Sequence, residues 1–139
     1  MITEKEVIPL LLAACPGFEP TWQEHLAWWK DQERGSYNDA SEFARYLVEC
    51  YERGETNEFP VAFATIENIL NEGDENARGV AAVGVLEDIQ TIASHSCGSE
   101  VFVQWLGPTS RAAWAEIEQT WAGKHSLMDV IRAERRGSQ

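Results

Sequence analysis

The segment 68–93, NILNEGDENARGVAAVGVLEDIQTIA, constrains the fold of this chain most. One helix stops at Gly73, Asp74 is placed to cap the next, and helical spacing then continues to about His95. Ala77, Ala81, Val85, Ile89 and Ile92 form an apolar stripe, and Val80, Val83 and Leu86 widen it. So broad an apolar surface cannot lie against one neighbour only, so the other helices must pack around this one. Gly84 in its middle costs about 1 kcal/mol of helix propensity relative to alanine. The spacing predicts that another helix or a bulky ring, such as a tryptophan, approaches there.

The flanking sequence supplies the packing partners. Thr3 and Glu6 have capping-box spacing before a helix bearing Val7, Leu10, Leu11 and Ala14, which Pro16-Gly17 ends. Thr21 is placed to cap a second helix, with Trp22, Leu26 and Trp29 inward and Gly35 closing it. Asn38 or Asp39 caps a third, with Phe43, Leu47 and Cys50 inward and Gly54 at its end. A fourth runs from about Asn57 to Glu72, with Phe59, Phe63, Ile66 and Leu70 inward and Pro60 harmless in its first turn. VFVQWLG alternates like a strand but has no partner strand, and is read as a helix. Thr109 or Ser110 caps a helix containing Trp114, Ile117 and Trp121, and SLMDVIRAERR forms a last short one with Leu127, Val130 and Ile131 inward. An all-α fold follows: a compact single-domain bundle of seven or eight helices over residues 1–134, with 135–139 a frayed tail.

Charge narrows the function classes. The net charge is −12, and residues 1–72 hold 14 acids against 5 bases, whereas 73–139 hold 9 against 6. A surface this negative repels phosphate, which argues against nucleic acid or an anionic membrane and favours a basic protein partner. Cys15, Cys50 and Cys97 are few, odd in number and far apart, as expected for reduced thiols in a cytoplasm. IPLLLAAC is too short for a membrane span, and its acidic flank does not fit a signal peptide.

FPVAFATIENILNEGDENARGVAAVGVLEDIQTIA, residues 59–93, resembles the helical hairpin of HEAT- and armadillo-type proteins, in which an aspartate at the turn caps an inner helix of small aliphatics. The whole chain, with PGFEPTW near its start and NEGDENARGVAAVGVLEDIQ in its middle, resembles small acidic bacterial proteins of uncharacterised families. Several of these accompany secreted toxins as immunity proteins. The resemblance implies a cytoplasmic, non-catalytic binder.

Chemical signatures are sparse. His95 and Cys97 make half of a metal pair at most, and four ligands at paired spacing are lacking. Cys97 with His95 or His125 and Asp129 has the types for a nucleophilic triad, and Gly98 before a helix start could lower the thiol pKa, but chance supplies such types in any chain. Paired acids such as Glu87-Asp88 and Glu116/Glu118 read as solvated helix faces, and GVAAVG lies within a helix rather than after a strand. No cofactor, metal or catalytic residue is assigned. The partner-binding set is Glu24, Trp28, Asp31, Tyr37, Asp39, Glu42, Glu49 and Glu52, carboxylates with aromatics among them. The leading expectation is an immunity-type protein that occludes a basic toxin. The alternatives are an adaptor holding a peptide in an apolar groove, or a small enzyme using Cys97.

Overall fold

The computed structural model of the protein describes residues 1–30 and 32–137, with side chains described to residue 122 apart from residue 31. Among the described residues, seven α-helices follow in chain order: α1 (Glu4–Ala14), α2 (Glu19–Trp29), α3 (Gly35–Glu52), α4 (Phe59–Glu72), α5 (Glu75–Gly79), α6 (Asp88–Ala93) and α7 (Pro108–Gly137). Short 3₁₀ turns at Pro16–Phe18 and Ser99–Trp105 complete them, and a π-helical segment, Val80–Glu87, joins α5 to α6. Among the described residues there is no strand, and an isolated parallel bridge pairs Ile2 with Gly73. The all-α expectation is met.

The α5–π–α6 rod is the hub that its composition predicts. Its π segment touches α1, α3, α4 and α7 as well as its own flanks. Asp74 caps it by accepting from the Ala77 amide at 2.8 Å. The π segment itself is not foreseen from propensity, but a register argument accounts for it. Ala77, Ala81, Val85, Ile89 and Ala93 are all buried, a strict four-residue spacing. An α-helix turns about 100° per residue, so each four-residue step overshoots one turn by about 40°. Hydrogen bonds from i to i+5 put more residues in a turn and reduce that drift. The wider turns keep the stripe on one side of the rod, which is why Ala93 rather than Ile92 completes it, and Val83 is turned out at 47% exposure.

Gly84 is a close-approach site, but no tryptophan fills it. A Cβ there would lie 2.7 Å from the Ala40 Cβ of α3 and 3.5 Å from the Tyr37 ring. Alanine's Cβ cannot rotate away, so the α3 and rod backbones must separate if residue 84 grows. Gly84→Val is expected to cost about 1–3 kcal/mol as overpacking, read as a lower urea midpoint. An unchanged midpoint would show that the contact yields freely.

Several boundaries differ from the sequence reading. α2 starts at Glu19, so Pro20 and Thr21 both lie inside its opening turn and Thr21 does not precede the helix. It ends at Trp29 because Lys30 takes φ 53°, and Gly35, at φ 71°, opens α3 instead of closing α2. Asn38 and Asp39 therefore lie inside the first turns of α3 and do not cap it. α4 begins at Phe59, with Pro60 in its first turn as expected. The two C-terminal helices are one, because Gly123 alone, at about 1 kcal/mol, does not break a helix that has no proline or cap beside it. Residues 138–139 of the expected tail, and the side chains of Leu127, Val130 and Ile131, lie outside the described residues. The Thr3–Glu6 capping box is present, the Glu6 carboxylate accepting from the Thr3 amide at 3.2 Å and hydroxyl at 3.0 Å.

Candidate functional site

α2 and α3 are joined by residues 30–34 and leave between them an open cleft of about 360 Å³. Two spacings on α2 build one wall. His25 and Trp29, four apart, line it together with Glu24 and Trp28, also four apart, whereas Trp22 packs beside His25 outside the lining. Asn38, Ser41, Glu42 and Arg45 of α3 form the opposite wall.

His25 forms the floor. It is buried between Trp22 and Trp29, at ring-centroid distances of 5.5 and 6.3 Å. Its Nε2 lies 2.9 Å from Asp39 Oδ1, the same oxygen that accepts from Arg34 Nε at 2.9 Å. A carboxylate oxygen accepts, so Nε2 carries the proton of this contact. Nδ1 stands 4.0 Å from Glu42 Oε2, beyond hydrogen-bond reach. The Arg34 guanidinium lies 5.4 Å from the Trp22 ring centroid, so one cation is held by an aromatic face and a carboxylate together. Asp39→Ala would leave Arg34 and His25 without this acceptor. A loss of about 1–2 kcal/mol is expected in chemical denaturation, and a neutral substitution would mean that Asp39 does not anchor the cleft.

Of the residues expected to bind a partner, the structure brings Glu24, Trp28 and Glu42 together at this cleft. Trp28 is 83% exposed. Asp39 is a correction: it is only 8% exposed because His25 and Arg34 draw it inward, so it shapes the site from behind. Tyr37 stands at the rim of the α3–rod contact, its hydroxyl filling the space a Cβ at Gly79 would enter. Glu49 and Glu52 are exposed farther along α3, outside the cleft lining. Asp31 lies outside the described residues. His25, Trp29 and Arg45 were missed as site residues; the signal for His25 was its place on the same helical stripe as Trp22 and Trp29.

Not every acid of the first half contributes to a surface field. Glu58 accepts from the Gly17 amide at 2.9 Å and the Tyr46 hydroxyl at 2.6 Å, and burial together with that carboxylate pushes the Tyr46 pKa strongly up. Glu42 has Arg45 at 3.7 Å, and Glu55 has Arg53 at 3.2 Å. Burial, with Glu58 and Cys50 nearby, pushes the Cys15 thiol up to about 12, and burial also raises Cys50. Neither is an activated nucleophile. Cys97 is half-buried in a turn followed by a 3₁₀ segment rather than an α-helix, and His95 is exposed. The side chains of His125 and Asp129 lie outside the described residues. Among the described residues, no three His, Cys, Asp or Glu side chains converge as a metal site, and no helix is long and apolar enough to cross a membrane.

No curated protein and no solved structure matches the chain. Residues 8–122 match a family described as Domain of unknown function (DUF7674), and the chain belongs to that family.

Proposed function

We propose that the protein is a non-catalytic, cytoplasmic binding module of immunity type, docking a basic toxin through its α2–α3 face and occluding the toxin's active cleft. The observation that carries this reading is Trp28, an 83% exposed tryptophan at the lip of a cleft that Glu24 and Glu42 also line. Aromatic side chains of this kind anchor interfaces. The net charge of −12 supplies long-range attraction to a cationic partner, raising on-rate and specificity. Glu49 and Glu52, exposed on α3, extend the acidic surface.

Co-expression of the neighbouring gene's product with and without this chain tests the proposal. The product should arrest growth alone and be neutralised by the wild type, whereas Trp28→Ala combined with Glu24→Gln should protect poorly. A product that is harmless alone, or that still kills beside the wild type, ends the immunity reading.

A second reading, a helical adaptor built on a HEAT-type hairpin, is favoured by the outward Val83 and the furrow it lines with Ala82, Ala113 and Ile117. Binding there would persist in high salt and would be abolished by Val83→Asp. Binding through the α2–α3 face weakens with salt.

A further inference from the structure

We infer that the α2–α3 cleft is a receptor for one guanidinium group, an arginine side chain of the basic partner. This rests on the partner-binding reading above and gives it a specific contact. At about 360 Å³ the cleft is at the small end of ligand pockets, which run roughly 300–1,000 Å³. It has room for one side chain. Its walls combine two indole rings, Trp28 and Trp29, with two carboxylates, Glu24 and Glu42. A guanidinium is planar, weakly hydrated and able to stack on an aromatic face while its edge donates to carboxylates; an ammonium is more strongly hydrated and lacks that flat face.

The chain already holds a guanidinium in this way. Arg34 lies against Trp22 and donates to Asp39, immediately behind the cleft. His25 separates the two places, and the contact with Asp39 that puts its proton on Nε2 leaves a neutral ring's Nδ1 as an acceptor near Glu42. Arg45 is the internal competitor. Its guanidinium is 3.7 Å from Glu42, with the side chain 57% exposed, a loose pair that an incoming arginine would displace.

The test is a titration of the full chain, with ¹⁵N-labelled tryptophan, by the capped tripeptide acetyl-Gly-Arg-Gly-amide and its citrulline and lysine counterparts. The Trp28 and Trp29 indole signals, assigned by Trp28→Phe and Trp29→Phe, should move saturably with the arginine peptide and stay fixed with the neutral citrulline peptide. The lysine peptide should bind more weakly. Glu24→Gln with Glu42→Gln should weaken arginine binding about tenfold, and Arg45→Gln should tighten it about threefold, with the backbone amide spectra confirming an intact fold. Static Trp28 and Trp29 signals, equal shifts from citrulline, lysine binding as tight as arginine, or an Arg45→Gln variant that binds no more tightly would each overturn the inference. If the peptide fails while the neighbouring product still binds and is neutralised, the cleft assignment alone falls. If the peptide binds but that product does not, the immunity reading falls and the guanidinium site stands.

Discussion

Replacing Phe102 with alanine should lower the unfolding free energy by about 3–5 kcal/mol. Phe102 is fully buried in the 3₁₀ segment Ser99–Trp105 and is the centre of an aromatic cluster. Its ring lies 5.4 Å from Tyr51 of α3, 6.0 Å from Phe59 and 6.3 Å from Phe63 of α4, and 6.4 Å from Trp105. Truncation removes contacts with α3, with α4 and within its own segment at once, and four surrounding rings cannot collapse into the space without leaving their packed geometry. Urea unfolding followed by circular dichroism measures the loss. A domain of this size has about 5–15 kcal/mol in total, so the variant should sit close to its unfolding threshold at ambient temperature. A loss below about 1 kcal/mol, no more than deletion of a single buried methyl costs, would mean that the segment does not clamp α3 to α4.

Glu67→Ala should cost about 2–4 kcal/mol. α7 begins Gly107-Pro108, and neither residue has a side chain able to cap it. Glu67 of α4 performs that role across the fold, accepting from the Thr109 amide at 3.0 Å and from the Ser110 amide and hydroxyl at 2.8 Å each. Gly107 permits the approach, since a Cβ there would lie 2.6 Å from the Glu67 carboxyl carbon. Burial alone would raise the pKa of this carboxyl, but the hydrogen bonds from Ser110 and Thr109 outweigh it and hold the value at about 2 against an ordinary 4.5. A folded-state pKa below the unfolded one stabilises at pH values above the unfolded pKa. The contribution is therefore complete above about pH 4.5 and is lost as the pH falls towards 2. The stability difference between wild type and Glu67→Gln should be constant from pH 7 to 5 and shrink towards zero near pH 2. A difference independent of pH would show that the charge on Glu67 is not what caps α7.

Glu67 also marks where sequence reading stops. Thr109 or Ser110 was expected to cap α7 because local cap chemistry is written in adjacent positions, but the helix starts at Pro108 and both lie inside its first turn, donating to Glu67. The residue that performs the capping is more than forty positions away, and no local pattern points to it. The central rod was legible because a broad apolar stripe has one physical outcome, whereas its π turns follow from a four-residue rhythm that propensity rules do not register. VFVQWLG hid its anchor for a similar reason: a 3₁₀ turn buries Phe102 and Leu106, while the alternation read from the sequence favoured Val101, Val103 and Trp105. Charge and aromatic content singled out Glu24, Trp28 and Glu42, which line one cleft. They could not separate an outward carboxylate from Asp39, whose place is set by Arg34 and His25, nor show that Glu58 is engaged with Gly17 and Tyr46.

The pairing of Ile2 with the α4–α5 turn has a kinetic consequence. The Ile2 amide donates to the Glu72 carbonyl at 2.9 Å, and the Asp74 amide donates to the Ile2 carbonyl at 2.8 Å. The Asp74 amide should therefore exchange with deuterium only when the leading residues peel away, so that one proton near the centre of the chain times the detachment of its first segment.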